Sequence, residues 1–383
     1  MKILFVADGL FDTDNYPAIS RGASAQTWGL SKELARRGHK VSIVRRFDNN
    51  AQRKVDNVNL ISIRVKDNVV EHMPFLSHLA RNFSSMYFSC RGLKSIASSG
   101  ADVVCLTNRF SGIVPSSLKM RKVYIMHSPD ALNSYKANSI QSNHLNSLMF
   151  YLKRTAENWL VKKSDAIVAL NSFMCNCLLA EGHSKVVNIP NGIDLSEFQA
   201  KSSDENFILY AGRFDWNKNV STLIDVFSKI QKDYPNYRLY LVGQGPEKKR
   251  ILSRIRSRSL QSRVRVIPWL PRKKLRSFMN RCSLFVLPSF FEVSPNVVLE
   301  AMASAKPVIA RINIGTVEMV RNGHTGCLYG TNKELEYNLS MLLSDASLRK
   351  KMGYNARNVI EQHYTFSAIA SAYEQLFDKM LME

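Results

Sequence analysis

Acidic residues are the scarce class in this chain. Its 383 residues carry 31 Asp and Glu against 53 Lys and Arg, a formal net charge of +22 at pH 7. The deficit is local. From Lys248 to Arg281 the stretch "KKRILSRIRSRSLQSRVRVIPWLPRKKLRSFMNR" holds thirteen Lys or Arg and no Asp or Glu. Such a run either attracts polyanions (nucleic acid, acidic glycan, an anionic membrane face) or is a solvated helix face, and the composition leaves both readings open. Long apolar runs are missing as well. None approaches the roughly 20 residues of a membrane-spanning helix, which excludes a helical membrane protein. Cysteine is sparse: Cys90, Cys105, Cys175, Cys177, Cys282 and Cys327 are scattered, with no CxxC pair and no His spacing suited to zinc. This excludes a zinc module and predicts reduced thiols in a cytoplasmic protein. "MKILFVADGL" contains Asp8 and lacks a small-residue cleavage site, so it reads as a first strand and not as a signal peptide. What remains, 45% apolar and 22% charged, is a soluble, globular composition. The length suits two domains of ordinary size.

Hydrophobic periodicity supplies the organisation. "KILFVA" is a short apolar strand, followed by a loop and then by "SAQTWGLSKELARRGHKVSIV". There Trp28, Leu30, Leu34 and Ala35 recur at helical spacing, Gly38 ends the helix and "VSIV" is the next strand. This β-α-β unit is the building block of a parallel, doubly wound sheet. "ADVVCL", "KVYIMH" and "DAIVAL" continue it. A second series follows: "FILYAG", "RLYLVG", "VRVIP", "LFVLPS", "PVIA" and "GCLY". The turn-rich "NIPNGIDLSEFQAKSSDEN" between them is the expected interdomain connection. Two tandem open sheets imply a cleft, with ligands at the C-terminal ends of the strands.

The chemistry concentrates in the second half. In "FEVSPNVVLEAMASAKPVIA", Glu292 precedes an expected helix start and Glu300 lies eight residues on. Ser294 is the expected cap and Pro295 the first helical residue, followed by Asn296. The helix N-terminus favours an anion or a sugar's oxygens. From the spacing alone the acids read equally well as surface residues or as two contacts to one elongated ligand. In "LYAGRFDWNKN", Arg213 stands at a strand end and Lys218 five residues later, a fork and a point charge suited to phosphate. "LVGQGPE" puts Gly243 and Gly245 in a strand-to-helix turn. Neither it nor "FVADGLF" completes a dinucleotide fingerprint, which disfavours a dehydrogenase.

Read together, "GRFDWNKN", "LVGQGPE", "VIPWLP", "LPSFFEVSPNVVLEAMASAKPVIA" and "GTVEMVRNGHTGCLY" resemble family 4 glycosyltransferases of the GT-B fold. "MKILFVADG", "RGASAQTWGLSKELARRGHKVSIV", "IPNGID" and the tail "YTFSAIASAYEQLF" extend the resemblance over nearly the whole chain. It implies an α/β protein of two Rossmann-like doubly wound domains. Residues 1–187 form the acceptor-side domain, packed also by the C-terminal helix 366–383, and residues 188–365 form the nucleotide-sugar domain. It implies a retaining, metal-independent enzyme that moves a hexose-type sugar from a nucleoside diphosphate to a hydroxyl, with no cofactor besides that donor. Glu300 then matches the acid that accepts from ribose hydroxyls, and Glu292 the acid that orients the transferred sugar. Arg213 and Lys218 match the basic pair on the diphosphate. Gly22 matches a glycine facing that diphosphate, and His127 the histidine contacting the sugar. Ser294, Pro295, Asn296 and Gly243 fall in the matching donor-binding segments.

Several positions depart from the family pattern. Arg21 precedes Gly22 where paired glycines are usual, Val293 and Ala305 each replace a glycine, and Pro268 does so near the expected nucleobase. "DTD" at Asp12 and Asp14 reads as a solvated loop, not a metal site. Family enzymes often extend surface polysaccharide, lipopolysaccharide or glycolipid on lipid-linked acceptors at the inner face of the cell membrane. The expected partners are therefore a nucleotide-sugar, a glycan or lipid-linked sugar and an anionic membrane. The basic run 248–281, with "HLARNFSSMYFSCRGLKSI" as a second patch or an ordinary amphipathic helix, would make the membrane contact. Nucleic acid is not expected, since no aromatic-basic RNA motif is present. The rival readings are an epimerase or phosphorylase on the same fold, and a basic nucleic-acid binder.

Overall fold

The structure, a computed structural model, describes residues 1–8, 22–47, 51–64, 77–127, 144–199 and 203–383. The chain divides into two compact units, Met1–Gly192 with Phe366–Glu383, and Ile193–Thr365.

In the first unit the chain runs β1 (Lys2–Ala7), α1 (Gly22–Arg36), β2 (Lys40–Phe47), β3 (Ala51–Val55), β4 (Val58–Arg64), α2 (Ser77–Ala97), β5 (Val103–Leu106), α3 (Arg109–Ile113), β6 (Arg121–Met126), α4 (His144–Lys163), β7 (Ala166–Ala169), α5 (Ser172–Ala180) and β8 (Val186–Asn188). Its eight strands lie in the order β3-β4-β2-β1-β5-β6-β7-β8. All pair in parallel except β3, which is antiparallel to β4 at the edge. β5 and β7 are buried along their whole length, as strands covered on both faces must be. The β3–β4 hairpin was not legible as strands in the periodicity reading. Asp56 and Asn57 turn it with φ of 47° and 63°, a left-handed pair that short polar side chains tolerate. α2 covers "HLARNFSSMYFSCRGLKSI". Phe88 and Ile96 are buried, and Gly92 lies close to Val44 of β2 and Ile63 of β4, so one face of this helix is committed to the sheet.

The second unit comprises β9 (Phe207–Ala211), α6 (Val220–Ile230), β10 (Arg238–Val242), α7 (Lys248–Ser257), β11 (Val264–Ile267), α8 (Arg272–Arg281), β12 (Leu284–Leu287), α9 (Asn296–Ala303), β13 (Val308–Arg311), α10 (Thr316–Met319), β14 (Gly326–Tyr329), α11 (Asn332–Ser344) and α12 (Ala346–His363). Six strands pair in the order β11-β10-β9-β12-β13-β14, all parallel. α6 buries Val220, Leu223, Ile224, Phe227 and Ile230, the apolar stripe of a helix lying on a sheet. Ala305, just past α9, has a φ of 54°. That is the left-handed conformation in which a glycine is cheapest, so alanine there costs about 1 kcal/mol. Its carbonyl oxygen lies 2.0 Å from where a Cβ on Gly353 of α12 would stand, so a glycine on the partner helix makes the room.

The last helix, α13 (Phe366–Met382), belongs to the first unit. Phe366 packs over Gly29 of α1, where an added Cβ would stand 2.0 Å from the ring. Glu374 accepts from Arg37 at 2.7 Å and pairs with His39 at 2.8 Å, fixing the register of α13 on the turn after α1.

Candidate active site

In the second unit, β9, β12 and β13 are neighbours, so the loops leaving their C-terminal ends lie side by side. The loop after β9 is held from below. Tyr210 Oη donates to the Arg213 carbonyl at 2.7 Å, and Phe214 N donates to the Gln244 carbonyl at 2.9 Å. A single 3₁₀ turn, Trp216–Lys218, follows, capped by Asp215, whose carboxylate accepts from Lys218 N at 3.2 Å. The same carboxylate lies 3.3 Å from Arg213 Nε, while the Arg213 side chain stays 68% exposed. Asn217 stitches this turn to the loop after β12. Its carbonyl accepts from Phe290 N at 2.8 Å, and its Nδ2 donates to the Phe291 carbonyl at 2.9 Å.

That stitch brings together two residues singled out by sequence. Lys218 Nζ donates to Glu292 Oε1 at 2.6 Å, with both side chains mostly covered. The acid loop has little freedom beneath, because a Cβ on Gly315 would stand 2.6 Å from the Val293 carbonyl and 2.7 Å from that of Glu292. Glu300 has its own partner. It is the fifth residue of α9, is 8% exposed, and accepts from Arg272 Nη2 of α8 at 3.2 Å. Burial holds its carboxyl above the usual carboxylate range, against the opposing pull of Arg272 and Arg276.

The helix start differs from the expected one. α9 opens at Asn296 with Pro295 at the N-cap (φ −73°, ψ 104°), and no side chain caps it. The extended ψ at Pro295 leaves Ser294 one residue too early to reach the first-turn N–H groups, so Ser294 is not the cap and Pro295 is not the first helical residue. Gly243 has a φ of 153°, and a Cβ there would stand 1.9 Å from the Gly212 carbonyl oxygen. Close passage of two strand-end loops accounts for this glycine.

The first unit places Gly22 as the exposed first residue of α1, at a helix N-terminus. His127 follows β6; the residue as a whole is half-buried, and its ring Nε2 is buried without a hydrogen-bond partner. Burial, assisted by the Arg109 guanidinium, pushes its pKa down to about 4, so the imidazole is neutral at pH 7. Arg21, Asp12 and Asp14 lie outside the described residues. Sequence reasoning overlooked Arg272 and Asn217. The first was lost in the basic run, although its place just after "WLP", at the start of a helix, set it apart. The second is an ordinary polar residue whose stitching role no spacing announces.

Residues 193–359 match the model of the group 1 glycosyl transferases, and residues 20–197 that of glycosyltransferase family 4. The chain belongs to the family 4 glycosyltransferases. An uncharacterized glycosyltransferase of Methanocaldococcus jannaschii is 26% identical to this transferase over 327 residues, 82% of this chain and 86% of that one. Other curated relatives match over less of their length, 56% and 64% for two of them. Among solved structures, sucrose-phosphate synthase from Thermosynechococcus elongatus superposes with a TM-score of 0.80 at 19% identity, covering 100% of this chain and 99% of that one. HepE of Anabaena, solved in complex with UDP-glucose, gives 0.73 at 18% identity, covering 99% and 100%. The fold of the transferase is GT-B.

Proposed function

We propose that the transferase moves a hexose-type sugar from a nucleoside diphosphate to a hydroxyl acceptor, with retention at the anomeric carbon and without a metal. The observation that carries this is the contact between Lys218 and Glu292. In a nucleotide-sugar the bond to be broken joins the sugar's C1 to a phosphate oxygen. A carboxylate suited to sugar hydroxyls and an ammonium suited to phosphate meet here at one point. As C1–O breaks, the electron pair leaves with the diphosphate, and Lys218 and the exposed Arg213 offset the charge that grows there. The acceptor oxygen attacks C1 from the same face, and its proton passes to the departing phosphate oxygen. Glu292 orients the sugar. Glu300, at the start of α9, accepts from the ribose hydroxyls, with Ser294, Pro295, Asn296 and Gly243 in the loops around the donor. The roles that the resemblance gives Gly22 and His127 belong to the same proposal, and a neutral imidazole suits a hydrogen bond to a sugar hydroxyl.

Solved relatives of the fold include a protein crystallised with UDP-glucose, and a capsular polysaccharide biosynthesis glycosyltransferase is among the similar sequences. We place the transferase in surface polysaccharide or glycolipid assembly, in the cytoplasm at the inner face of the cell membrane. Among the described residues no helix is long and apolar enough to cross a membrane, so contact would be peripheral. The basic run supplies it only in part. Arg250, Arg254, Arg258, Arg272, Arg276 and Arg281 are paired with Glu247, Asp225, Asp225, Glu300, Glu197 and Glu205, and Arg263 donates to the Tyr234 and Tyr237 carbonyls. Lys248, Lys249, Arg256, Arg265, Lys273 and Lys274 are exposed and remain for an anionic surface.

Slow hydrolysis of a panel of UDP-, GDP- and ADP-sugars, with chelator present and the released anomer read by NMR, tests the reading. Hydrolysis of one donor class, unaffected by chelator and giving the donor's own anomer first, is the expected result. Strict dependence on added manganese, or release of the opposite anomer, overturns the mechanism.

A further inference from the structure

The stitch at Asn217 that sets Lys218 on Glu292 also sets two aromatic rings side by side in the open. Trp216 is 71% exposed and Phe290 44% exposed, with ring centroids 6.3 Å apart and planes tilted by 32°. The guanidinium of Arg311, at the end of β13, lies 5.0 Å from the Phe290 centroid. Asn313 holds that end in place, donating to the Ser289 carbonyl at 3.1 Å and to the Arg311 carbonyl at 3.2 Å. Three adjacent strand ends thus present two aromatic faces and a cation as one surface. Each aromatic stands two residues before a charged member of the Lys218–Glu292 pair.

We infer that Trp216, Phe290 and Arg311 form a pyranose-binding platform that receives the acceptor's terminal sugar. The inference rests on the transferase reading above, which makes a saccharide the second substrate. A pyranose ring has an apolar C–H face and a rim of hydroxyls. Aromatic faces suit the first, and the N–H groups of a guanidinium suit the second. An exposed pair of large aromatics is costly in water unless something covers it. The donor sugar is a poor candidate, because water must be kept from the C1 where bonds break and form, whereas the acceptor ring offers one hydroxyl to that centre and can rest its other face on so open a subsite. The nucleobase is a poor candidate as well. The proposed ribose acid, Glu300, is held by Arg272 of α8, while the platform is completed from β13.

Saturation-transfer NMR with octyl glycosides of glucose, galactose, mannose and N-acetylglucosamine tests it on the full chain, with nucleoside diphosphate bound. At least one glycoside is expected to bind through its ring protons. Trp216→Ala and Phe290→Ala are expected to weaken that binding about tenfold, and Trp216→Phe to restore most of it. Nucleoside diphosphate affinity and donor hydrolysis in water stay unchanged in all three. Glycoside binding that is absent, or equal in wild type and both alanine variants, overturns the platform. A parallel loss of nucleotide affinity reassigns it to the base and overturns it equally. A wild type that binds glycoside but hydrolyses no nucleotide-sugar sinks the transferase reading and leaves the saccharide site standing.

Discussion

Lys218 Nζ lies 2.6 Å from Glu292 Oε1, although 74 residues separate the two in sequence. The family resemblance assigns them to different halves of the donor, the base to the diphosphate and the acid to the sugar. The structure joins them, and each becomes the other's counter-charge. Removing one partner of a largely covered pair leaves the other charge uncompensated, so the two single variants are not independent.

Glu292→Gln and Lys218→Gln are each expected to lower the maximal rate roughly 100-fold, the second by losing an electrostatic contact to the developing charge and the first by losing the acid that orients the sugar and holds Lys218. The double variant is expected to lose little more than the worse single one. Glu300→Ala is expected to act on binding instead, weakening nucleoside diphosphate by about 10- to 100-fold through the loss of charged hydrogen bonds. Steady-state kinetics and calorimetry on the same four proteins check both statements. Additive losses in the double variant, or loss of nucleotide affinity in Glu292→Gln equal to that in Glu300→Ala, count against this division.

The second expectation concerns Arg272. Burial raises the Glu300 carboxyl above its usual range, and Arg272 opposes that shift. In the proposed role, Glu300 accepts from the ribose hydroxyls as the carboxylate, so nucleotide affinity is expected to fall as pH drops through this raised pKa. In Arg272→Gln the opposing cation is gone, burial acts with less restraint, and the midpoint of the affinity profile moves up in pH. Calorimetric titrations of both proteins from acid to neutral pH read the shift. A midpoint that stays put, or moves down, contradicts it.

Most of the parallel sheet was legible because strands buried on both faces are continuous apolar runs, as "FILYA" and "LFVL" are. The β3–β4 hairpin escaped because an edge strand such as "AQRKV" is polar and has no such run. Its one local signal is the Asp56–Asn57 turn. At the site, Arg213, Lys218, Glu292 and Glu300 stood out by residue type and spacing. Their pairing did not, since Lys218 to Glu292 and Arg272 to Glu300 are tertiary contacts set by strand order. Ser294 was misread as a cap because residue preference says nothing of ψ at the following proline. The glycine replaced by Ala305 became intelligible only with its left-handed φ and the facing Gly353.

His127 offers a test in the first unit. Its folded pKa of about 4 lies below the ordinary value near 6.5, so the unfolded chain binds the extra proton first. The contribution to stability is whole above about pH 6.5 and is lost progressively as pH falls toward about 4. An NMR titration of the ring is expected to give a midpoint near 4. Denaturant unfolding of His127→Gln is expected to show a shallower acid loss over that window than wild type. A ring that titrates near 6.5 removes both the burial argument and the neutral imidazole from the proposed mechanism.

The last expectation concerns the unpaired basic residues, whose geometry is specific. α7 joins β10 to the edge strand β11, and α8 returns inward from β11 to β12. Right-handed crossovers in opposite directions put these helices on opposite faces of the sheet, and α7 indeed packs beside α6 while α8 packs beside α9. Lys248 and Lys249 open α7 and Lys273 and Lys274 open α8, so the two pairs belong to opposite faces of the sheet, with Arg265 on the edge strand β11. A bilayer meeting one face of the unit would touch only one lysine pair, whereas a bilayer meeting the edge touches both. At about 1 kcal/mol for each basic residue near an anionic surface, edge-on contact of four lysines amounts to roughly a thousandfold in partitioning. The transferase is expected to sediment with vesicles containing acidic lipid, not with neutral ones, and to be released by high salt. Lys248→Gln/Lys249→Gln and Lys273→Gln/Lys274→Gln are expected to weaken sedimentation about equally, each by roughly thirtyfold, while hydrolysis of a soluble donor is unchanged. Loss confined to one pair means a face and not the edge. No sedimentation with either lipid leaves these lysines as a solvated rim around the second unit.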